Sequence, residues 1–155
     1  MTMNVLQTLS EELVIPELEA RGKHDALKEM TEALAKVYPG IDPVELLDKL
    51  EEREKLGSTA IGGGIAIPHT KLPGLDHVLA IFGRSSCGVD FESVDGAPTR
   101  LFFLLVAPDE SSGTHLKALA RISRLLKEAD VRERLIASNE RGDLLRIIRE
   151  EDAKY

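Results

Sequence analysis

Arg53-Glu-Lys-Leu-Gly-Ser-Thr-Ala-Ile-Gly-Gly-Gly-Ile-Ala-Ile-Pro-His69 sets a helix end, a glycine-rich loop, a short apolar strand and one histidine in succession. Glycines at 57, 62, 63 and 64 let such a loop turn its backbone N–H groups toward an anion. A histidine at the mouth of the loop is a nucleophile near neutral pH, because its unperturbed pKa is about 6.5. Together these features point to a phosphohistidine site. The order of elements also bears on the fold. Helix leads in and strand leads out, the reverse of a nucleotide-binding P-loop, and Gly63-Gly64 stands where Lys-Ser/Thr would hold phosphates and Mg²⁺.

Working outward, three short apolar runs at 65–67, 78–82 and 101–106 are bounded by Gly, Pro or Asp and alternate poorly. That pattern suits strands buried on both faces. Between the last two, Val89 and Phe91 alternate with Asp90 and Glu92, and Asp95-Gly96 offers a turn. Upstream lie a weak strand at 14–18 and a helix with Leu27, Met30, Leu34 and Val37 on one face. A second helix starts at Asp42-Pro43 with Glu45 three residues after the cap and carries Leu46 and Leu50 inward. Downstream, a polar loop at 108–113 precedes a helix with Leu116, Leu119, Ile122 and Leu126 along it. A short helix is expected to open at Asp130, with Glu133 in the cap pattern, and a last one runs through Leu144, Leu145 and Ile148. Helices at both ends with strands between them predict an α/β sandwich, a sheet covered on both sides.

The chain has 155 residues, 43% of them hydrophobic and 30% charged, which predicts a single globular domain over residues 1–155. A net charge of −7 argues against nucleic acid as the main partner and would steer a basic protein partner toward this chain. The one cysteine, Cys87, cannot form a disulfide within the chain and suggests a reducing compartment. Residues 1–7 lack a basic, then apolar, leader, and no run approaches the ~20 apolar residues of a membrane span, so a cytoplasmic location is expected. One Cys and four scattered His show no metal-ligand spacing, and no Gly-x-Ser-x-Gly elbow is present.

Each candidate residue has a bland reading beside the chemical one. His69 shares strand parity with Ile65 and Ile67, and Pro68 ends ladder donation beside it, which sets the imidazole at a strand end where loops converge. His115 lies on the inward stripe of its helix, yet in the first turn, where free N–H groups favour an anion. It is either packed under the preceding loop or a hydrogen-bond donor to a phosphoryl group. Arg53, seven after Leu46 and three after Leu50, continues the inward face; it either snorkels to water or meets an anion with its planar fork. Ser58 and Thr59 could hold phosphoryl oxygens or make turn contacts, and Gly62, Gly63 and Gly64 could cradle phosphate or allow a tight turn. His24 and His77 read as bystanders, and the charge run 51–55 as a solvated helix end.

The Arg53–His69 spelling resembles the signature around the phosphorylated histidine of enzyme IIA domains of the bacterial phosphoenolpyruvate-dependent phosphotransferase system, fructose/mannitol type, and within it the stand-alone nitrogen-regulatory branch. A second matching block, 101–126, carries Leu-Phe-Phe-Leu-Leu-Val-Ala-Pro and then Thr-His115-Leu-Lys-Ala-Leu-Ala, and the resemblance runs from about Val5 to Arg149. It implies a central mixed sheet of about five strands with helices on both faces. It implies a phosphoryl carrier: His69 accepts phosphate through Nε2 from an HPr-like histidine phosphocarrier, His115 donates a hydrogen bond to the phosphoryl group, and Arg53 stabilises charge. No metal, nucleotide or other cofactor is required by that site. A regulatory protein target or a IIB component is the implied onward partner, so regulation and sugar transport are both open. A non-catalytic anion-sensing module is the competing class. Thr70 and Ala60 stand where the family often has glycine, which bears on the branch more than on the chemistry.

Overall fold

In the computed structural model the described residues are Leu6, 9–110 and 112–154. Residues 1–5, 7, 8, 111 and 155 lie outside them, and with them most of the stretch read for a leader and one residue of the 108–113 loop.

A 3-10 turn, Glu11–Leu13, leads into strand β1 (Val14–Ile15), and helices α1 (Lys23–Val37) and α2 (Pro43–Lys55) follow. Next come β2 (Ala60–Gly62), β3 (Ile65–Ala66), β4 (His69–Leu72), β5 (Leu79–Val89) and β6 (Thr99–Pro108). Helices α3 (Ser112–Lys127), α4 (Ala129–Ala137) and α5 (Arg141–Asp152) close the chain. The sheet is mixed and runs β1-β5-β6-β3-β2, with β4 also on β6. β5 and β6 form its antiparallel centre, with Phe82 opposite Phe103. β1 joins β5 in parallel, and β3 and β4 join β6 in parallel.

That makes six strands where about five were expected: β2 forms within the stretch read as a glycine-rich loop, and two short strands, β3 and β4, follow it along β6. β3 lies along Leu101–Phe102 and β4 along 105–108 of the same neighbour. Pro68 between them still accepts a bond from Leu105 N–H at 2.9 Å but has no N–H to return. His69 therefore opens a second short strand rather than closing the first.

The helices cover both faces, as strand alternation dictates. Arg84, opposite Leu101, sends its guanidinium to the Leu135 and Ile136 carbonyls at the end of α4. Phe102, on the other face, meets Phe91 at 5.3 Å between ring centroids, beneath Lys23 of α1. Nearly every residue of β5 and β6 is buried, as expected for strands with helices on both sides. β5 runs well past Phe82, where the sequence turns polar. Gly83 packs under Leu18, whose methyl group would stand 3.1 Å from an added Cβ, and within the strand the Ser85 hydroxyl accepts from Gly88 N–H.

The helix starts show the local logic. Asp42 caps α2 by accepting from Val44 N–H at 3.0 Å, with Pro43 in the first turn. α4 departs from expectation: it starts at Ala129 after Glu128, so Asp130 lies inside the first turn and makes no cap. Among the described residues of α3 the buried ones are His115, Ala118, Ile122, Leu125 and Leu126, whereas Leu116, expected inside, is 64% exposed.

Candidate functional site

His69 stands at the first position of β4, opposite Leu105. Its Nδ1 lies 2.8 Å from the Ile67 carbonyl oxygen. A carbonyl can only accept, so Nδ1 carries the proton and donates, and the lone pair sits on Nε2. The contact is local, from the imidazole to a carbonyl two residues back in its own chain, and the register with β6 is unbroken between β3 and β4.

α3 follows β6 closely and brings His115 to His69, with ring centroids 5.3 Å apart and planes tilted by 49°. His115 is buried, and its Nδ1 has no hydrogen-bond partner among the described residues. A buried polar nitrogen without a partner is costly and marks a place where a ligand atom is wanted. Both imidazoles are pushed below the usual histidine range. For His69, burial is the main cause and the Arg53 charge adds to it, while the Ile67 carbonyl and the Glu54 carboxylate oppose. For His115, burial again leads, followed by His69 and Lys71. Both rings are thus neutral at pH 7.

Arg53, half-buried at the end of α2, donates from Nη1 to the Gly57 carbonyl at 3.0 Å and acts on His69 through its charge. It neither faces fully inward nor merely snorkels. The inward position belongs to its neighbour: Leu46, Leu50 and Glu54 are the buried residues of α2. The sequence reading placed Glu54 on a solvated helix end, but the i, i+4, i+8 spacing with the two leucines held the signal that it points inward.

The loop hydroxyls are already engaged. Thr59 donates its hydroxyl and its N–H to the Glu54 carboxylate. The Ser58 hydroxyl donates to the Phe91 carbonyl at 3.0 Å and accepts from Ala60 N–H at 3.1 Å. The turn-contact alternative thus describes both. The loop they form still adjoins the histidine, since the Thr59 carbonyl accepts from Ile67 N–H at 3.1 Å.

The glycines are not brought to His69. Gly63 and Gly64 are the two central residues of the β2–β3 hairpin, with φ of 66° and 80°, the left-handed pair that a type I′ turn requires. Gly63 N–H bonds Asp95 Oδ2, and the Gly64 carbonyl accepts from Arg100 and Leu101. Ile65 opposes Leu101 while His69 opposes Leu105, so the hairpin end lies four residues, or about 13 Å, along β6 from the histidine. The tight-turn reading describes Gly62, Gly63 and Gly64, and their placement lends no support to the phosphate-cradle reading.

His24 pairs with Glu51 and His77 with Asp76 at exposed positions. Among the described residues no group of three or more His, Cys, Asp or Glu is placed to hold a metal ion, and no helix is long and apolar enough to cross a membrane.

The chain is 43% identical over 138 residues to the "Nitrogen regulatory protein" of Bradyrhizobium diazoefficiens, covering 89% of this chain and 90% of that one. It is 34% identical over 150 residues to the "PTS system fructose-specific EIIABC component" of Bacillus subtilis, covering 97% of this chain but 24% of that longer protein. The crystal structure of nitrogen regulatory protein IIA-Ntr from Neisseria meningitidis superposes with a TM-score of 0.86 at 27% identity, covering 93% of this chain and 98% of the other. Residues 7–151 match the family described as "Phosphoenolpyruvate-dependent sugar phosphotransferase system, EIIA 2", and the chain belongs to that family.

Proposed function

We propose that this chain carries a phosphoryl group on Nε2 of His69, taken from an HPr-like histidine phosphocarrier. One observation carries the reading: the Ile67 carbonyl fixes the Nδ1–H tautomer and leaves the Nε2 lone pair of a neutral imidazole beside His115. As the bond from Nε2 to phosphorus forms, the P–N bond to the donor imidazole breaks and the donor keeps that electron pair. The positive charge that develops on the His69 ring is shared with the Ile67 carbonyl through the Nδ1–H bond. Phosphoryl transfer of this kind needs positioning and charge stabilisation more than covalent help from the protein. Arg53 supplies positive charge, and His115, with its buried orphan nitrogen, supplies a donor for a phosphoryl oxygen.

The onward role is regulatory in this reading. Higher identity to a nitrogen regulatory protein than to a fructose component supports it. Two large apolar side chains, Leu56 at 84% exposure and Leu116 at 64%, adjoin Arg53–Gly57 and His115, where a protein partner would settle. Adding about two negative charges to His69 would force such a partner to bury them, so the unmodified form binds its target more tightly. Incubation with phosphoenolpyruvate, enzyme I and an HPr-like carrier tests the carrier role: intact mass should rise by one phosphoryl group in the wild type and not in His69→Ala. Full labelling of His69→Ala would reject it. Rapid transfer onward to a fructose-type IIB protein, with the same protein partners captured by both forms, would move the role to sugar transport.

A further inference from the structure

A buried carboxylate is wired to the imidazole of His69. Glu54 is 9% exposed, and a charge in such a place persists only when its oxygens are matched by donors. Three donors converge on it: Thr59 N–H at 3.1 Å, the Thr59 hydroxyl, and the Lys23 ammonium at 2.8 Å. Lys23, the first residue of α1, is itself held 5.0 Å above the Phe91 ring and reaches Glu92 at 3.3 Å. The path continues from Thr59 through the backbone. Its carbonyl accepts from Ile67 N–H, and the Ile67 carbonyl accepts from His69 Nδ1. Two residues thus separate the carboxylate from the ring.

We infer that Glu54 is a positioning residue of this site: it clamps the loop that orients the Ile67 carbonyl, and its charge offsets that of Arg53 at the imidazole. The logic is electrostatic. A site that gathers cations for an incoming phosphoryl group also withdraws basicity from its own nucleophile. A carboxylate whose lone pairs are engaged elsewhere restores that basicity without taking the place of the phosphoryl group. The two charges act on His69 in these opposite senses. The other charged or titratable groups around them are Lys23 and Glu92 beside Glu54, His115 from α3, and Lys71 on β4, whose charge reaches His115. The inference rests on His69 as the nucleophile, but it is tested on the unmodified chain.

The experiment is a titration of the His69 ring by NMR in the wild type, Glu54→Gln and Lys23→Gln, with the amide spectrum reporting the fold. Glutamine keeps the volume of Glu54 and one acceptor for Thr59 while removing the charge. The His69 midpoint should move to lower pH in Glu54→Gln and to higher pH in Lys23→Gln, where the carboxylate loses its counter-ion. A structural role alone would shift both variants the same way or neither, and any pattern other than opposite shifts overturns the proposal. Should Glu54→Gln not fold, Lys23→Gln decides by itself, and an unchanged or lowered midpoint overturns it. A wild type that accepts no phosphoryl group would reject the carrier reading while leaving the titration outcome standing.

Discussion

Replacing Arg53 by lysine separates charge from shape at the site. Nη1 of Arg53 donates to the Gly57 carbonyl, which anchors the planar fork at the end of α2; in the proposed reaction the other guanidinium N–H groups would meet a phosphoryl oxygen. A lysine ammonium is a single point on a flexible stem, so it can close the Gly57 carbonyl or meet the phosphoryl group, but not both at once. Its charge stays, so the depression of the His69 pKa is kept in direction. Loss of a preorganised donor aimed at transition-state charge costs about 2–4 kcal/mol, or roughly 30- to 1000-fold in rate. The cost in stability is far smaller, about 1 kcal/mol, because the bond lost is one half-exposed contact to a carbonyl. Single-turnover transfer from a phosphorylated HPr-like donor, paired with urea denaturation, reads both quantities. A rate within about threefold of wild type, less than 1 kcal/mol in the barrier, would mean that Arg53 serves only to close the helix end.

Arg84→Met should cost about 3 kcal/mol in urea unfolding, since it strands the Leu135, Ile136 and Pro16 carbonyls that the buried guanidinium now serves. Gly64→Ala should lower stability by about 1–2 kcal/mol, because its φ of 80° belongs to glycine, yet leave the transfer rate unchanged; a large rate loss would restore the phosphate-cradle reading. Both site histidines have folded-state pKa values below the unfolded value near 6.5, so the native state binds fewer protons than the unfolded chain. Their contribution to stability is complete above that value and is lost as pH falls through it toward the folded values. A His69→Gln/His115→Gln double variant should therefore lose less stability on acidification than the wild type across that range in chemical denaturation. Equal slopes would contradict the burial of neutral rings.

The sequence carried the sheet's centre and the outer helices well, because their patterns are long and their start signals explicit. The Asp42-Pro43 start and the Leu27, Met30, Leu34 stripe stand as read. The errors cluster where one residue has two uses. Gly62–Gly64 looks like an anion loop, but the same left-handed freedom builds a hairpin turn, and only the pairing of Ala60 with Ala66 distinguishes them. In the charge run 51–55 the inward position belongs to Glu54 rather than Arg53, and a buried carboxylate is rare enough that a charged pattern alone does not announce it. His69 with His115 was legible from motif spelling, but the Ile67 carbonyl that fixes the tautomer was not, since a side-chain bond to a carbonyl two residues back leaves no residue pattern. The extension of β5 through Gly83-Arg84-Ser85 was hidden because the Arg84 guanidinium finds its partners on elements distant in sequence.

The most direct test of the central claim is a long-range ¹H–¹⁵N correlation of the imidazoles before and after phosphorylation, with His69 assigned by comparison to His69→Ala. The account predicts that unmodified His69 carries its proton on Nδ1, bonded to the Ile67 carbonyl, and that phosphorylation moves the Nε2 resonance of the same ring while Nδ1 keeps its proton. A proton on Nε2 of the free protein, or phosphate appearing on Nδ1 or on His115, would contradict it.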